Sequence, residues 1–137
     1  MSRITFVTIA GKNYPMSFSL GASKKIIEKY GGAEKMKTAL EKAKDAQKID
    51  MITELLELLI AQGCAYKNYF EKDIPAPDNS PVVDGKWAPL PREALEIAVG
   101  VYDVKELSDK ILECVGNGSK KEIELKTEGK NANGGQE

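Results

Sequence analysis

Residues 48–70 read KIDMITELLELLIAQGCAYKNYF. Ile49, Ile52, Leu55, Leu56, Leu58, Leu59 and Ile60 recur at helical spacing, and together they cover a wide arc of the cylinder. A helix apolar over so much of its girth sits at the centre of its domain or is buried in an interface. The stretch predicts a helix over about 48–70 around which the rest of the chain is arranged. Gly63 falls inside it and predicts a bend, since glycine costs about 1 kcal/mol in a helix interior.

Working toward the N-terminus, Ala33 to Ala46 predicts a helix with a narrow stripe of Met36, Ala39, Leu40 and Ala43. Before it, Ser19 is placed to cap a helix over about 20–30 that Gly31-Gly32 stops. The chain opens with two alternating segments, Ile4 to Ile9 and Tyr14 to Phe18, around the turn residues Gly11-Lys12-Asn13. This reads as a β-hairpin over 3–18 with one strongly apolar face. Pro15 cannot donate to a ladder, so it needs an edge or an outward-facing position. A lone hairpin is marginal in water, so Phe6, Met16 and Phe18 are expected to pack against a helix.

Working toward the C-terminus, residues 73–91 hold five of the six prolines: Pro75, Pro77, Pro81, Pro89 and Pro91. No helix survives that density. Val82 to Trp87 contains Asp84-Gly85, which suits a very small hairpin. Helices are expected over about 91–101, with Pro91 at its first position, and 103–115, with Asp103 and Glu106 as a capping box. Gly116-Asn117-Gly118 is read as the stop. The polar residues 119–137, whose large apolar side chains are Ile123 and Leu125, are read as a flexible tail, or a short strand followed by one. The fold class expected is α+β: an N-terminal β-hairpin followed by a mainly α-helical domain of about five helices, over 1–118.

The totals limit the function. The chain has 137 residues, 42% of them hydrophobic, which suits one domain with a core. Lys and Arg total 20 against 21 Asp and Glu, a net charge of −1, so nothing draws it to nucleic acid or an anionic membrane. No segment reaches the length of a membrane helix, and Met1 to Ala10 lacks the apolar stretch of a signal peptide. A cytoplasmic location is expected. There is no histidine, which removes the commonest general base and metal ligand. Cys64 and Cys114 form no CxxC pair and suit two small core residues in a reducing compartment. Glu54 and Glu57 are spaced like a paired-carboxylate site but suit a solvated helix face better. No catalytic, cofactor or metal residue is assigned, and no cofactor is expected.

Two features point to protein partners. The stretch 24–48 carries eight lysines against four carboxylates, whereas 49–73 carries two lysines against five carboxylates. That asymmetry suits either head-to-tail self-association or two ordinary mixed helix surfaces. The aromatics Tyr66, Tyr69 and Phe70, followed by Trp87 in the Pro-rich loop, are the candidate partner-binding residues. Such residues anchor interfaces or close the end of a core.

The order of these elements carries a resemblance. The strand at Ile4-Thr5-Phe6, the Gly11-Lys12-Asn13-Tyr14 turn, and Met16-Ser17-Phe18-Ser19-Leu20-Gly21-Ala22 leading into a helix that ends near Tyr30-Gly31 resemble the start of tail assembly chaperones of long-tailed phages and prophages, of the Gram-positive type. The Leu-rich third helix and the closing helices around Leu90-Pro91-Arg92 and from Asp103 to Val115 are similar too. The resemblance covers about residues 3–116, and the Pro-rich loop has no counterpart in it. It implies a cytoplasmic, non-enzymatic protein that binds the tape-measure protein and keeps it soluble while the tail tube polymerises around it. It also implies absence from the finished virion, and in many members a longer frameshifted product. The tail-tube protein and self-association are further expected partners; nucleic acid and membrane are not. The alternatives are another phage morphogenesis protein, such as a tail-completion or head–tail connector protein, and a bacterial protein-binding adaptor domain. An enzyme is the reading the residues favour least.

Overall fold

The computed structural model describes residues 4–130. Strand β1 (Ile4–Ile9) pairs antiparallel with β2 (Lys12–Ser17), with Thr5 opposite Met16, Phe6 opposite Pro15 and Val7 opposite Tyr14. The chain turns through Ala10 and Gly11, both left-handed with φ of 51° and 78°. This two-residue primed turn matches the twist of the strands it joins, one step earlier than the expected Gly11-Lys12-Asn13.

A two-residue turn also sets the pairing. Ile9 and Lys12 flank it and exchange both backbone hydrogen bonds, and the pattern then alternates. Val7–Tyr14 and Thr5–Met16 are hydrogen-bonded pairs, while Thr8–Asn13 and Phe6–Pro15 are not. Pro15 therefore stands where its missing N–H has no strand partner to lose. Asn13 obeys the same parity: its N–H points away from β1 and donates to the Asn79 carbonyl at 2.8 Å.

Ser19 Oγ accepts the Ala22 N–H at 3.1 Å and starts α1 (Leu20–Tyr30), which Gly31 ends at φ 95°. Helix α2 is Ala33–Lys42 and α3 is Asp45–Phe70. The expected boundary near residues 46–48 lies a few residues too late. Ala43 is extended and buried, which ends α2 and lets α3 begin at Asp45. A short hairpin follows, β3 (Val82–Val83) with β4 (Lys86–Trp87), turning at Asp84 and Gly85 with φ of 52° and 79°. Helix α4 (Arg92–Ala98) stops short of the expected residue 101, and a 3-10 turn at Val101–Asp103 leads into α5 (Val104–Lys130). Asp103 caps that turn, its carboxylate accepting the Gly100 N–H at 2.9 Å.

The expected helix stop is displaced. Gly116-Asn117-Gly118 does not end α5, which continues to Lys130, and residues 131–137 lie outside the described ones. Gly118 is instead a place of close approach: a Cβ there would come within 2.9 Å of Phe18 Cβ. Asn117 Nδ2 donates to Thr5 Oγ1 at 3.3 Å, tying the same helix to β1.

Helix α3 is the centre. It packs against β2, β4 and the other four helices, and Ile52, Leu55, Leu56, Leu59 and Ile60 are fully buried along it. Its buried Thr53 hydroxyl returns to the Ile49 carbonyl at 3.0 Å, leaving no unsatisfied donor. Helix α3 runs on without a break through Gly63. A Cβ on it would lie 2.2 Å from the Pro15 carbonyl oxygen and 2.8 Å from the Met16 nitrogen, so the bare backbone of α3 lets β2 lie against it. The hairpin's inward face carries Val7, Ile9, Tyr14 and Met16, with Thr5 buried beside them. The expectation for Phe6 is met only in part: opposite Pro15, it is on the other face and 40% exposed, with Lys67 of α3 over its ring. Met16 is buried as expected, and Phe18 is half-buried against Gly118.

Gly63→Ala is expected to cost at least about 3 kcal/mol, because the obstructing atoms are backbone and cannot rotate aside. Gly116 has nothing within 4 Å of a built Cβ, so Gly116→Ala should stabilise by about 0.5–1 kcal/mol through helix propensity alone. Urea denaturation midpoints of the two variants test both signs.

Candidate functional site: the exposed aromatic end of the third helix

The last turn of α3 places Tyr69 and Phe70 in solvent, 76% and 74% exposed. Phe70 lies between two tyrosines. Its ring centroid is 5.3 Å from that of Tyr66, at 49°, and 6.2 Å from that of Tyr69, at 43°. Tilted rings at these separations are in the favourable range for aromatic pairs. Tyr66 is half-buried and forms the base of the group; past the helix end Ile74, whose N–H donates to the Glu71 carbonyl at 3.0 Å, is 59% exposed. These side chains leave a contiguous aromatic surface on a helix whose preceding turns are held in the core.

Trp87 does not belong to that surface. It is buried, and its backbone is gripped by Asn68: Nδ2 donates to the Trp87 carbonyl at 3.0 Å and Oδ1 accepts the Trp87 N–H at 2.9 Å. The amide stands in for a neighbouring strand. Beside it the Lys67 ammonium lies 5.4 Å from the Trp87 ring centroid and 5.5 Å from that of Phe6, and pairs with Glu71 at 2.7 Å. The cation between two rings joins the Pro-rich loop, α3 and β1. Of the four candidate residues the structure brings Tyr66, Tyr69 and Phe70 together and assigns Trp87 to the core. Asn68 and Lys67 went unread in the sequence; an Asn one turn before a Pro-rich segment is the signal that was available.

The apolar arc of α3 is not a docking surface either. Apart from Ile49, 43% exposed, and Leu58, half-buried against the core, its members are buried by the chain's own elements. The carboxylates of α3 are likewise committed. Glu54 receives the Lys29 ammonium at 2.5 and 2.6 Å, and Glu57 accepts the Arg92 N–H at 2.9 Å at the start of α4. Arg92 in turn pairs with Asp50 at 3.0 Å. These contacts brace α1 and α4 against α3 and hold no pair of free carboxylates. Among the described residues no group of three or more Cys, Asp or Glu side chains is placed to hold a metal ion.

The perturbed groups are buried structural ones. Burial pushes the Cys64 thiol up to about 11 and the Cys114 thiol up to about 12. Burial and the neighbouring Glu54 carboxylate push Tyr30 up to about 12. All three stay neutral in the folded protein, while the unfolded groups ionise at ordinary values. Their contribution to stability is therefore complete below about pH 8.5 and is lost as pH rises toward 12. No family model matches the chain, and no curated protein or solved structure matches it.

Trp87→Ala is expected to destabilise the fold by about 3–4 kcal/mol, whereas Tyr69→Ala and Phe70→Ala should each stay within about 0.5–1 kcal/mol of the parent; thermal melts separate the two classes. Because both thiols are buried and neutral, a thiol reagent at pH 8 should label Cys64 and Cys114 no faster than the protein unfolds. Prompt labelling of either in native buffer contradicts the burial described.

Proposed function

We propose that the chain is a non-enzymatic tail assembly chaperone of the phage and prophage type, acting in the bacterial cytoplasm, and that it holds the tape-measure protein through the aromatic end of α3. The observation that carries the docking site is the exposure of Tyr69 and Phe70 together, their rings 6.2 Å apart. Large aromatic side chains left in solvent on a braced helix are the residue types that anchor interfaces at low ordering cost. The assignment to this class of chaperone rests on the sequence resemblance over residues 3–116.

The partner suits the surface. A tape-measure protein is a long helical chain, and its apolar face needs cover before the tube encloses it. A helix laid across Tyr66, Tyr69, Phe70 and Ile74 covers that face in the helix-in-groove manner. No helix among the described residues is long and apolar enough to cross a membrane.

The test is co-expression of the chain with the tape-measure protein of the same gene cluster. The parent should keep that protein soluble and retain it in a pull-down. A Tyr69→Ala, Phe70→Ala double variant should weaken retention at least tenfold, which is about 1.4 kcal/mol, with melting temperature and circular dichroism close to the parent's. Full retention by the double variant moves the docking site elsewhere; failure of the parent to retain the tape-measure protein removes the chaperone reading.

A further inference from the structure

Among the described residues strand β1 has a strand partner on one edge, β2. The parity set by the Ala10-Gly11 turn aims the backbone N–H and C=O of Phe6 and Thr8 at the other edge, and among the described residues neither makes a backbone hydrogen bond there. An open strand edge is a template for another strand unless something blunts it. Charge, proline and bulge are the usual means, and Phe6, Val7, Thr8 and Ile9 supply none of them.

This edge does not face open solvent. It forms one wall of a cleft of about 460 Å³ whose opposite wall is Ala98, Val99 and the first turns of α5. On that opposite wall Ala98, Val99 and Leu107 are apolar, and Asp103 and Glu106 are its acidic groups. Glu106 makes no ion pair among the described residues, while Lys110, the cation on this wall, is paired with Glu113 at 3.5 Å. The cleft thus offers a row of strand-type donors and acceptors opposite an acidic rim.

We infer that the outer edge of β1 takes up an extended segment of a partner protein as a third strand, one carrying a Lys or Arg at the position that faces Asp103 and Glu106. Main-chain hydrogen bonds to Phe6 and Thr8 supply the attachment, and side chains at alternate positions of the incoming strand supply the selectivity. The apolar side chains of the segment meet Val99 and Leu107, and its cation meets the unpaired Glu106 carboxylate. The occupant is extended and basic, so it is a different segment from the helix proposed for the aromatic end, and this site uses neither Tyr69 nor Phe70. Failure here leaves the chaperone reading intact, and the reverse also holds.

Two labelled peptides test it, acetyl-Val-Lys-Val-Lys-Val-amide and acetyl-Val-Glu-Val-Glu-Val-amide, titrated into the full chain by fluorescence anisotropy. The basic peptide should bind at least about tenfold more tightly than the acidic one, and it should slow hydrogen exchange at the Phe6 and Thr8 amides. Glu106→Lys should reverse the preference. Thr8→Pro removes an outward N–H that β2 does not use, and it should abolish binding of both peptides. If that variant fails to fold, Glu106→Lys and the amide exchange still decide the matter. Equal binding of the two peptides, no binding of either at about 1 mM, or unchanged exchange at Phe6 and Thr8 overturns the proposal. Concentration-dependent protection of those two amides without peptide assigns the edge to a second copy of the chain and also overturns it.

Discussion

The fold depends on one contact between backbones. At Gly63 the third helix has no side chain, and the Pro15 carbonyl of β2 occupies the space where a Cβ would stand, 2.2 Å from that position. Both partners are fitted to it. Glycine accepts a cost of about 1 kcal/mol in helix propensity, and proline sits at a strand position where no ladder bond is lost. The gain is that β2 is buried on both faces from Tyr14 to Ser17, which an isolated hairpin never achieves. With the hairpin seated there, α5 closes over β1 through Asn117 and over Phe18 through Gly118, and the core between α3 and α5 is complete.

That arrangement decides which apolar surface is left for function. The Leu-rich arc of α3 is used inside the domain, so the width of the arc measures how central the helix is, not how much it offers a partner. On α3 the most exposed apolar side chains are at its C-terminal end, where Tyr69 and Phe70 extend beyond the seated elements. Lys67 between Phe6 and Trp87, and Asn68 on the Trp87 backbone, fix the turn immediately before. The aromatic pair is therefore presented on a braced support, which lowers the ordering cost of binding.

Much of this was legible in the sequence where the signal is local. Ser19 and Gly31 bound α1 because a cap hydroxyl and a left-handed glycine act within a few residues. Asp84-Gly85 made its two-residue hairpin turn for the same reason. Legibility ended where distant backbones meet. Gly63 and Gly118 look like interruptions when only helix propensity is weighed, yet each is a point where another segment comes close. The inward face of β1 was ambiguous because Ile4 and Phe6 on one side are as apolar as Val7 and Ile9 on the other; the register with Pro15 and its contact on α3 settles it. Trp87 was grouped with Tyr66, Tyr69 and Phe70 by nearness in sequence, and Asn68, nineteen residues away, turns it inward instead.

The central claim is that hairpin and third helix form one cooperative unit anchored at Gly63. Native-state hydrogen exchange at low denaturant measures this directly. The amides of Val7, Tyr14 and Met16 in the hairpin and those of Leu59 to Lys67 in α3 should exchange only through the same global opening, with equal free energies and equal denaturant dependence. A hairpin that opens in a separate, lower-energy step while the α3 amides stay protected contradicts the account.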